Sequence, residues 1–407
     1  MTVQLRIHGP SAFLVAVVVS TTAQAGGLYL QEFATSSMGT AGAGAQAKAE
    51  DASTAFFNPA GMSRLEQTQT MAGAGVLTSV IRFDQDEDTP IAGGNGGNAG
   101  GEAPIVSLNH VQKITDDLSA GLSLISISGA VLDYNDDWAG RFQNQKIEFV
   151  TLSMQPSLSY RINDYLSVGA GALVLYANMD AKVAVPPPNG TGRVKIKDAD
   201  DFDVGFVGGL LLEPTDRTRF GLTYQSKVEP NLGGDVEIEP VGAQAAVDLK
   251  IPLAERVQLG GYHAFNDQWA VLGSFRWENW SEFSDIPVSV EQGSTEVKTG
   301  WRDTYGFSLG AHYRPTPKLL LQAGFGYDTS PVSDGNRNAS IPIDDQFRYS
   351  IGAQYDLTDK INVGGAFVYA DYGDNKIDSN TLKGKYKDYD LYFFTLNISY
   401  KFGGPIF

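Results

Sequence analysis

Alternation of apolar and polar residues along the C-terminal part of the chain is the sequence feature that most limits its fold. Near the C-terminus, Thr395, Asn397, Ser399 and Lys401 share one parity, and the other carries Tyr392, Phe394, Leu396, Ile398, Tyr400 and Phe402. Successive side chains of a β-strand lie on opposite faces, so this segment predicts a strand with one apolar and one polar face. The same pattern recurs at 150–161, 304–314 and 347–357. We therefore predict an all-β fold from about residue 67 onward.

The connections between these segments fall into two length classes. Short turns are predicted near Asp116, Asn163, Thr215, Asn266, Thr316 and Thr358, and long polar connections at 85–104, 133–146, 180–200, 230–248, 282–300, 329–345 and 373–388. Six short and seven long connections require fourteen strands, with both chain ends on the short-turn side. A soluble β-sandwich shows no such difference between its ends. The asymmetry predicts a transmembrane antiparallel β-barrel of about 14 strands in the outer membrane of a Gram-negative-type bacterium.

The first 25 residues are predicted to be a signal peptide. Arg6 and His8 precede an apolar run at 12–19, and Ala23-Gln24-Ala25 supplies the small residues of a cleavage site. The apolar run is too short to span a bilayer as a helix. We therefore assign 1–25 to the signal, 26–66 to a separate N-terminal segment and 67–407 to the barrel.

The net charge limits the kinds of partner that this chain can bind, and the absence of cysteine limits how it can be stabilised. The formal net charge of −17 argues against nucleic acid as a partner. The chain has no cysteine, so no disulfide stabilises it in an oxidising periplasm. Outer-membrane lipid and lipopolysaccharide are the expected surroundings of such a barrel, and we expect a monomer without a cofactor.

Residues 26–66 do not alternate and are rich in Gly, Ala and Ser. Fourteen strands enclose a lumen wider than wall side chains alone fill. We therefore predict that this segment enters the barrel from the periplasmic side as a plug, or hatch. Asn58 and Pro59 form a turn-favouring pair within it.

Three stretches of this segment resemble the FadL family of long-chain fatty acid and hydrocarbon transporters. They are Ser-Ser-Met-Gly-Thr-Ala-Gly-Ala-Gly at 36–44, Glu-Asp-Ala-Ser at 50–53 and Asn-Pro-Ala-Gly at 58–61. The resemblance implies that Asn58, Pro59 and Ala60 belong to a hatch motif inside a fourteen-stranded barrel. It also implies a hydrophobic small-molecule ligand, which moves through apolar pockets by diffusion and leaves sideways at a kinked third strand. Phe56 and Phe57 either line a pocket or anchor the hatch, and anchoring is the favoured interpretation.

The third predicted strand changes its pattern. Leu118, Ala120, Leu122 and Leu124 share one parity, and then Ile125 and Ile127 carry apolar side chains on the other. One extra residue at Leu124 and Ile125 is typical of a β-bulge or kink. Imperfect patterning is the alternative interpretation. If the break is real, Leu124 and Ile125 mark the lateral gate that the resemblance implies.

Three arginines are candidate partners for a ligand carboxylate. By extrapolated alternation, Arg276, Arg302 and Arg348 face the lumen. Arginine–acid pairs also fill barrel interiors without binding ligand, and Glu278 or Asp344 are the acids expected to form them.

Other functions remain as alternatives. An importer of aromatic or alkane hydrocarbons, a general porin and an adhesin are all compatible with the barrel. No nucleophile signature surrounds His110, His263 or His312, so we do not expect an enzyme. We predict no metal site, although the acidic run 84–88 offers oxygen ligands for a divalent cation among lipopolysaccharide phosphates. The assembly signal lies at either Phe402 or Phe407.

Overall fold

The computed structural model describes residues 28–185, 192–240, 242–290, 293–340 and 342–406, so the predicted signal peptide lies outside the described residues. From Gln69 onward the described chain is almost entirely β. The strand segments are β1 Gln69–Gln85, β2 Glu102–Lys113, β3 Leu118–Ile125, β4 Gly129–Asp133, β5 Lys146–Asn163, β6 Leu166–Ala184, β7 Arg193–Thr215, β8 Thr218–Gln225, β9 Asn231–Glu239, β10 Ala243–Lys250, β11 Arg256–Ala264, β12 Trp269–Glu278, β13 Asp285–Val290, β14 Gly293–Lys298, β15 Thr304–Thr316, β16 Leu319–Asp328, β17 Gln346–Asp356, β18 Ile361–Asp371, β19 Lys376–Asp378 and β20 Lys383–Lys401.

These twenty segments form fourteen wall strands, because six of the wall strands are interrupted and each of those six consists of two segments. β3 and β4 make the third wall strand, and β18 and β19 make the thirteenth. The seventh to tenth consist of β8 with β9, β11 with β10, β12 with β13, and β15 with β14. Neighbouring wall strands are antiparallel, and β1 pairs with both β2 and β20, which closes the sheet. The predicted fourteen-stranded antiparallel barrel is confirmed.

The barrel has an apolar outer face and a polar inner face. In β20, Thr395, Asn397 and Ser399 are at most 5% exposed, whereas Phe394 and Leu396 are 53% and 71% exposed. This distribution is inverted relative to a soluble protein and matches a wall whose outer face contacts lipid. The alternation therefore assigned the two faces correctly.

Short turns join the strands at one end of the barrel, as predicted, at 114–117, 164–165, 216–217, 265–268, 317–318 and 357–360. At the other end, the connections 86–101, 134–145 and 329–345 are long. The predicted loops 180–200, 230–248 and 282–300 were wrong in large part, since strands occupy most of them. Those strand parts carry their apolar residues on the buried face, as with Val194, Ile196 and Val236, and charged residues on the other. Their content of charged residues, Gly and Pro therefore resembled a loop, although the alternation is present.

The N-terminal segment, defined here as residues 28–66, lies inside the barrel. It forms two 3₁₀-helices, Met38–Thr40 and Pro59–Arg64, and two short α-helices, Ala45–Lys48 and Thr54–Phe57. Its backbone approaches wall glycines on opposite sides of the lumen. A Cβ added at Gly73 would lie 1.8 Å from the Ala34 carbonyl oxygen, and further wall glycines in such close contact with segment backbone are Gly169, Gly221 and Gly324. Glycine at these positions lets the wall and the segment pack backbone against backbone.

Candidate functional site

Asn58 fixes the fold of the N-terminal segment and joins it to the wall. Its side chain is fully buried, and its Nδ2 donates to the carbonyl oxygens of Gln46 (2.7 Å) and Leu210 (2.9 Å). Its Oδ1 accepts from the Ala60 N–H (3.1 Å), which caps the 3₁₀-helix that begins at Pro59. An asparagine supplies both donors and an acceptor here, and few other side chains do.

Phe56 and Phe57 pack with a third phenylalanine that the sequence analysis did not single out. The ring of Phe33 lies 5.0 Å from Phe56 and 5.9 Å from Phe57, and the last two are 5.3 Å apart. Together with Gln31 and Arg276, the three rings line a cavity of about 30 Å³. That volume holds a water molecule or two but no alkyl chain. The three phenylalanine rings therefore pack on one another and border this small cavity.

The third wall strand is interrupted between β3 and β4, at residues 126–128. Pairing of β2 with β3 ends at Ser107 opposite Ile125, and β4 pairs only with β5. Within the described residues, no strand pairing joins residues 102–106 of β2 to β4. A hydrogen bond from Asp133 N–H to the Ala99 carbonyl (3.0 Å) closes the upper end. We call the space bounded in this way the β2–β4 gap.

The break lies after the position that the sequence pattern indicated. Ser123, Ile125 and Ile127 are all buried and share one parity, and the inward parity changes only with Ala130 and Leu132. Leu124 and Ile125 thus belong to the regular end of β3, and the predicted slip between them was misplaced. The inward residues change there from Ser and Gly to Ile, and an inward isoleucine reads as a change of phase when the lumen is assumed to be polar.

The beginning of the N-terminal segment binds the break in the third wall strand, beside the gap. Leu30 N–H donates to the Ile127 carbonyl (2.9 Å), the Ser128 hydroxyl donates to the Leu28 carbonyl, and Tyr29 and Ser128 form an antiparallel bridge. Residues 28–30 therefore satisfy backbone groups of the interrupted strand.

Tyr29 also reaches the opposite wall. Its hydroxyl donates to the Ala254 carbonyl (2.7 Å), and the Arg256 guanidinium lies 4.4 Å from the centre of its ring. Gln225 Nε2 donates to the same hydroxyl (3.1 Å). The first described residues of the chain thus run across the lumen between two walls.

Two of the three predicted arginines meet in one ionic network. Asp328 accepts from both Arg276 and Arg348, and Glu278 lies 2.9 Å from Arg276. The N-terminal segment completes the network, since Glu32 Oε1 lies 2.9 Å from Arg348 Nε and Gln31 accepts from Arg276 (2.8 Å). All of these charges are therefore paired in this conformation, and Glu278 is one of the two acids that the sequence analysis considered as partners of these arginines.

Arg302 does not join this network. It is exposed in the connection between β14 and β15, where its Nε donates to the Ser330 carbonyl (3.1 Å). The prediction that Arg302 faces the lumen was wrong. β15 begins at Thr304, so the alternation of this strand does not include residue 302. Asp344 likewise pairs with Arg337 (3.0 Å) rather than with Arg348.

Glu32 is the site residue that the sequence analysis missed. It is 3% exposed although it is charged, and burial raises the pKa of its carboxyl above the usual range even beside Arg348. One signal was available: Glu32 is the only charged residue between 26 and 47, in a segment otherwise composed of small and uncharged residues.

Among the described residues, no group of three or more His, Asp or Glu side chains is placed to hold a metal ion. Asp88, in the acidic run considered for a cation, pairs with Lys383 (2.6 Å). No helix in the described part of the chain is long and apolar enough to cross a membrane.

The closed wall, its apolar outer face and its occupied polar lumen define a membrane β-barrel of the outer-membrane type. The family described as "Outer membrane protein transport protein (OMPP1/FadL/TodX)" matches residues 16–402, and the chain belongs to this family. The predicted family, outer-membrane location and non-enzymatic character are thereby confirmed.

Similar proteins carry related names. A protein of Escherichia coli O6:H1 named long-chain fatty acid transport protein is 27% identical over 410 residues, covering 90% of this chain and 92% of that one. The crystal structure of a Pseudomonas aeruginosa FadL homologue has a TM-score of 0.85 at 22% identity and covers 93% of this chain and 100% of that one. The Ralstonia pickettii toluene transporter TbuX has a TM-score of 0.72 at 19% identity, covering 92% and 99%.

Proposed function

We propose that this protein carries long-chain fatty acids or similar hydrophobic molecules across the outer membrane, and that they leave sideways into the bilayer through the β2–β4 gap. The gap carries this proposal, because it is a stretch of wall that main-chain strand pairing does not close. The name of the Escherichia coli relative supports fatty acids as the substrate class.

The energetics of alkyl chains favour an exit into lipid. Transfer of an alkyl chain into water costs about 0.8 kcal/mol per CH₂, so a sixteen-carbon tail would cost on the order of 10 kcal/mol. The inward residues beside the gap are apolar, namely Ile125, Ile127, Leu132, Ile147 and Phe149. A ligand that passes them and enters the membrane keeps its tail out of water throughout.

The periplasmic end of the lumen offers the opposite environment. A basin of about 880 Å³ opens there, and charged side chains border it, including Glu50, Arg64, Arg161 and Lys401. A direct path to the periplasm would expose an alkyl tail to this polar basin. We therefore infer that the N-terminal segment acts as the hatch, which separates the apolar passage from the basin.

Import of neutral hydrocarbons is the second candidate function. The toluene transporter from Ralstonia pickettii shares the fold, and Arg276 and Arg348 are both already paired with acids. If these arginines are only structural, they do not select for a carboxylate.

Uptake measurements test both candidates. We expect a host that lacks its own transporter to take up radiolabelled oleate when it expresses this chain, and toluene serves as the parallel substrate. Entry of toluene alone would assign the second function. Uptake of neither, by cells that contain the folded barrel, would refute both.

A disulfide tests the lateral exit. Bridge partners in antiparallel pairs lie within disulfide reach, so cysteines at Tyr29 and Ser128 would lock the N-terminal segment onto the break beside the gap. The chain has no other cysteine. Oxidation should lower oleate uptake by about tenfold or more, and reduction should restore it. Equal uptake by the oxidised and reduced forms would refute an exit through the gap.

A further inference from the structure

We propose that three lysines on the outward face of the wall, Lys146, Lys182 and Lys195, bind the phosphorylated saccharide core of lipopolysaccharide. We call these three residues the lysine row. The inference goes beyond transport, because it assigns to the outside of the barrel a specific contact with a lipid of the outer leaflet. It depends on the outer-membrane location of the family and not on the proposed exit route.

Strand register places the three lysines side by side. Lys146 on β5 lies opposite Lys182 on β6, and Lys182 lies opposite Lys195 on β7. Their neighbours along the strands, for example Ile147 and Val194, are at most 1% exposed and face the interior. Since successive side chains of a strand alternate between its faces, all three ammonium groups share the outward face.

A bulge in β7 brings the third lysine into the row. The pairing of β6 with β7 accommodates one extra residue of β7 near Asp198, whose φ is 50°. Such a bulge changes which parity faces outward. Phe202 is exposed below the bulge, and Lys195 faces outward above it. Without the extra residue, Val194 or Ile196 would take the place of Lys195.

The centre of the row brings like charges together. Like charges directly opposite each other on neighbouring strands are destabilising, and Lys182 has a lysine on both sides. The row ends at acids, with Asp133 opposite Lys146 and Glu237 opposite Lys195. An anion bound at Lys182 would relieve the repulsion, because it would lie against all three ammonium groups.

The carboxylates that contact the row are exposed and fewer than the cations. Four cations, the lysine row and Arg193, share the carboxylates of Asp136, Glu148 and Glu239. Asp136 alone pairs with both Lys182 and Arg193, at 2.6 Å each. The three acid side chains are between 35% and 51% exposed, and ion pairs at such positions are weak. A phosphate can therefore replace them at little cost.

The row lies at the height of the saccharide rather than of the acyl chains. Tyr176 on β6 and Phe202 on β7, whose rings are 4.8 Å apart, belong to the outward aromatic belt at the outer interface. Lys182 follows Tyr176 by six residues, which is about 20 Å along the strand. With a strand tilt of about 40°, the row lies roughly 15 Å above the belt. The phosphates and carboxylates of the lipopolysaccharide core lie at this level, above lipid A.

The chemistry and spacing of the row suit that ligand. Lysine ammonium groups bind phosphate as point charges, without the fixed geometry that arginine imposes. Neighbouring strands are about 4.8 Å apart, so the row spans roughly 10 Å. It therefore contacts more than one anionic group of a branched, phosphorylated saccharide.

The test is a titration of fluorescently labelled lipopolysaccharide with a phosphorylated core into the folded, detergent-solubilised barrel. Lipid A alone is the comparison ligand. In the triple variant Lys146→Gln, Lys182→Gln and Lys195→Gln, the affinity for the complete lipopolysaccharide should fall by about tenfold or more, because each lysine beside an anionic lipid contributes a several-fold gain. The affinity for lipid A should change by about twofold or less, because the row lies above it.

A second triple variant is the matched control. Lys376→Gln, Lys383→Gln and Lys385→Gln remove the same charge from the same end of the barrel, where these lysines also pair with exposed acids. This variant should bind lipopolysaccharide as the wild type does. Lysine-to-arginine changes at the three positions of the row keep the charge and should keep the affinity. All variants are compared as folded barrels, judged by heat resistance on gels.

Three results would overturn the inference. The first is wild-type affinity in the folded glutamine variant of the row, and the second is an equal loss in the control variant, which would assign the effect to surface charge in general. The third is an equal loss for lipid A and for complete lipopolysaccharide, which would place the contact at the lipid A phosphates. Oleate uptake does not enter this test, so failure of the proposed function would leave its outcome unchanged.

Discussion

Two of the regions in which wall strands are interrupted differ in their closure: the break in the third wall strand leaves a gap, and the shared break in the seventh to tenth does not. In the first, the third wall strand breaks at 126–128 while its neighbour β2 continues, so β4 loses a partner. In the second, four adjacent strands break at a similar level, at 226–230, 251–255, 279–284 and 299–303. A break shared by neighbours costs less pairing, because β9, β10, β13 and β14 pair with one another above it.

The second region is closed by contacts that the first lacks. Val228 and Leu253 form an antiparallel bridge across it, and β9, β10 and β13 resume pairing above it. Trp280, Phe283 and Trp301 pack there as a buried aromatic cluster. In this molecule, the interruption proposed as an exit is the one whose neighbouring strand β2 remains regular and where the N-terminal segment, rather than the wall itself, contacts the break.

The largest expected difference between the two regions is their response to a disulfide. Cysteines at Val228 and Leu253 would lock the second region as those at Tyr29 and Ser128 lock the first. We expect oleate uptake to stay unchanged when the disulfide between positions 228 and 253 forms. Uptake should fall by about tenfold when the disulfide between positions 29 and 128 forms. Similar losses at both would remove the functional distinction between the two regions.

Asn58→Ala should loosen the segment that contacts the first region and leave the second intact. Two buried carbonyls and the Ala60 N–H lose their partner, which costs about 1–3 kcal/mol of the attachment of the N-terminal segment. Limited proteolysis should cut this segment faster in the variant, while heat resistance of the barrel stays the same. Unchanged proteolysis would show that Asn58 does not hold the segment.

Acid should produce a smaller loosening of the same segment. Burial alone would raise the pKa of Asp51, but the Lys48 ammonium and hydrogen bonds from Ser36 and Ser53 hold that pKa below its usual value. A lowered carboxyl pKa contributes stability above the unfolded pKa and loses it as the pH falls through the folded value. The protection factors of the amides of residues 36–53, which correct for the intrinsic pH dependence of exchange, should therefore fall in acid, and less so in Asp51→Asn. An equal fall in both would assign the effect to other groups.

Sequence alone was sufficient for the wall. Residues such as Phe394 and Thr395 determine which face meets lipid, and Asn163 or Thr358 marks a short turn within a few residues. These are local properties, since side-chain alternation and turn chemistry depend on neighbours along the chain. The break in the third wall strand was found only approximately, because an inward Ile125 resembles an outward one when the lumen surface is unknown.

The contacts of the lumen were decided by tertiary structure. Nothing local shows that Glu32 meets Arg348, that Asp328 joins two arginines, or that Tyr29 bridges Ser128, since each contact joins residues that are distant in sequence. Arg302 illustrates the same limit, because its orientation depends on where β15 begins. The sequence by itself determined a fourteen-stranded barrel with a segment that forms no strand. Where that segment binds followed from strand register and closure, which bring distant residues together.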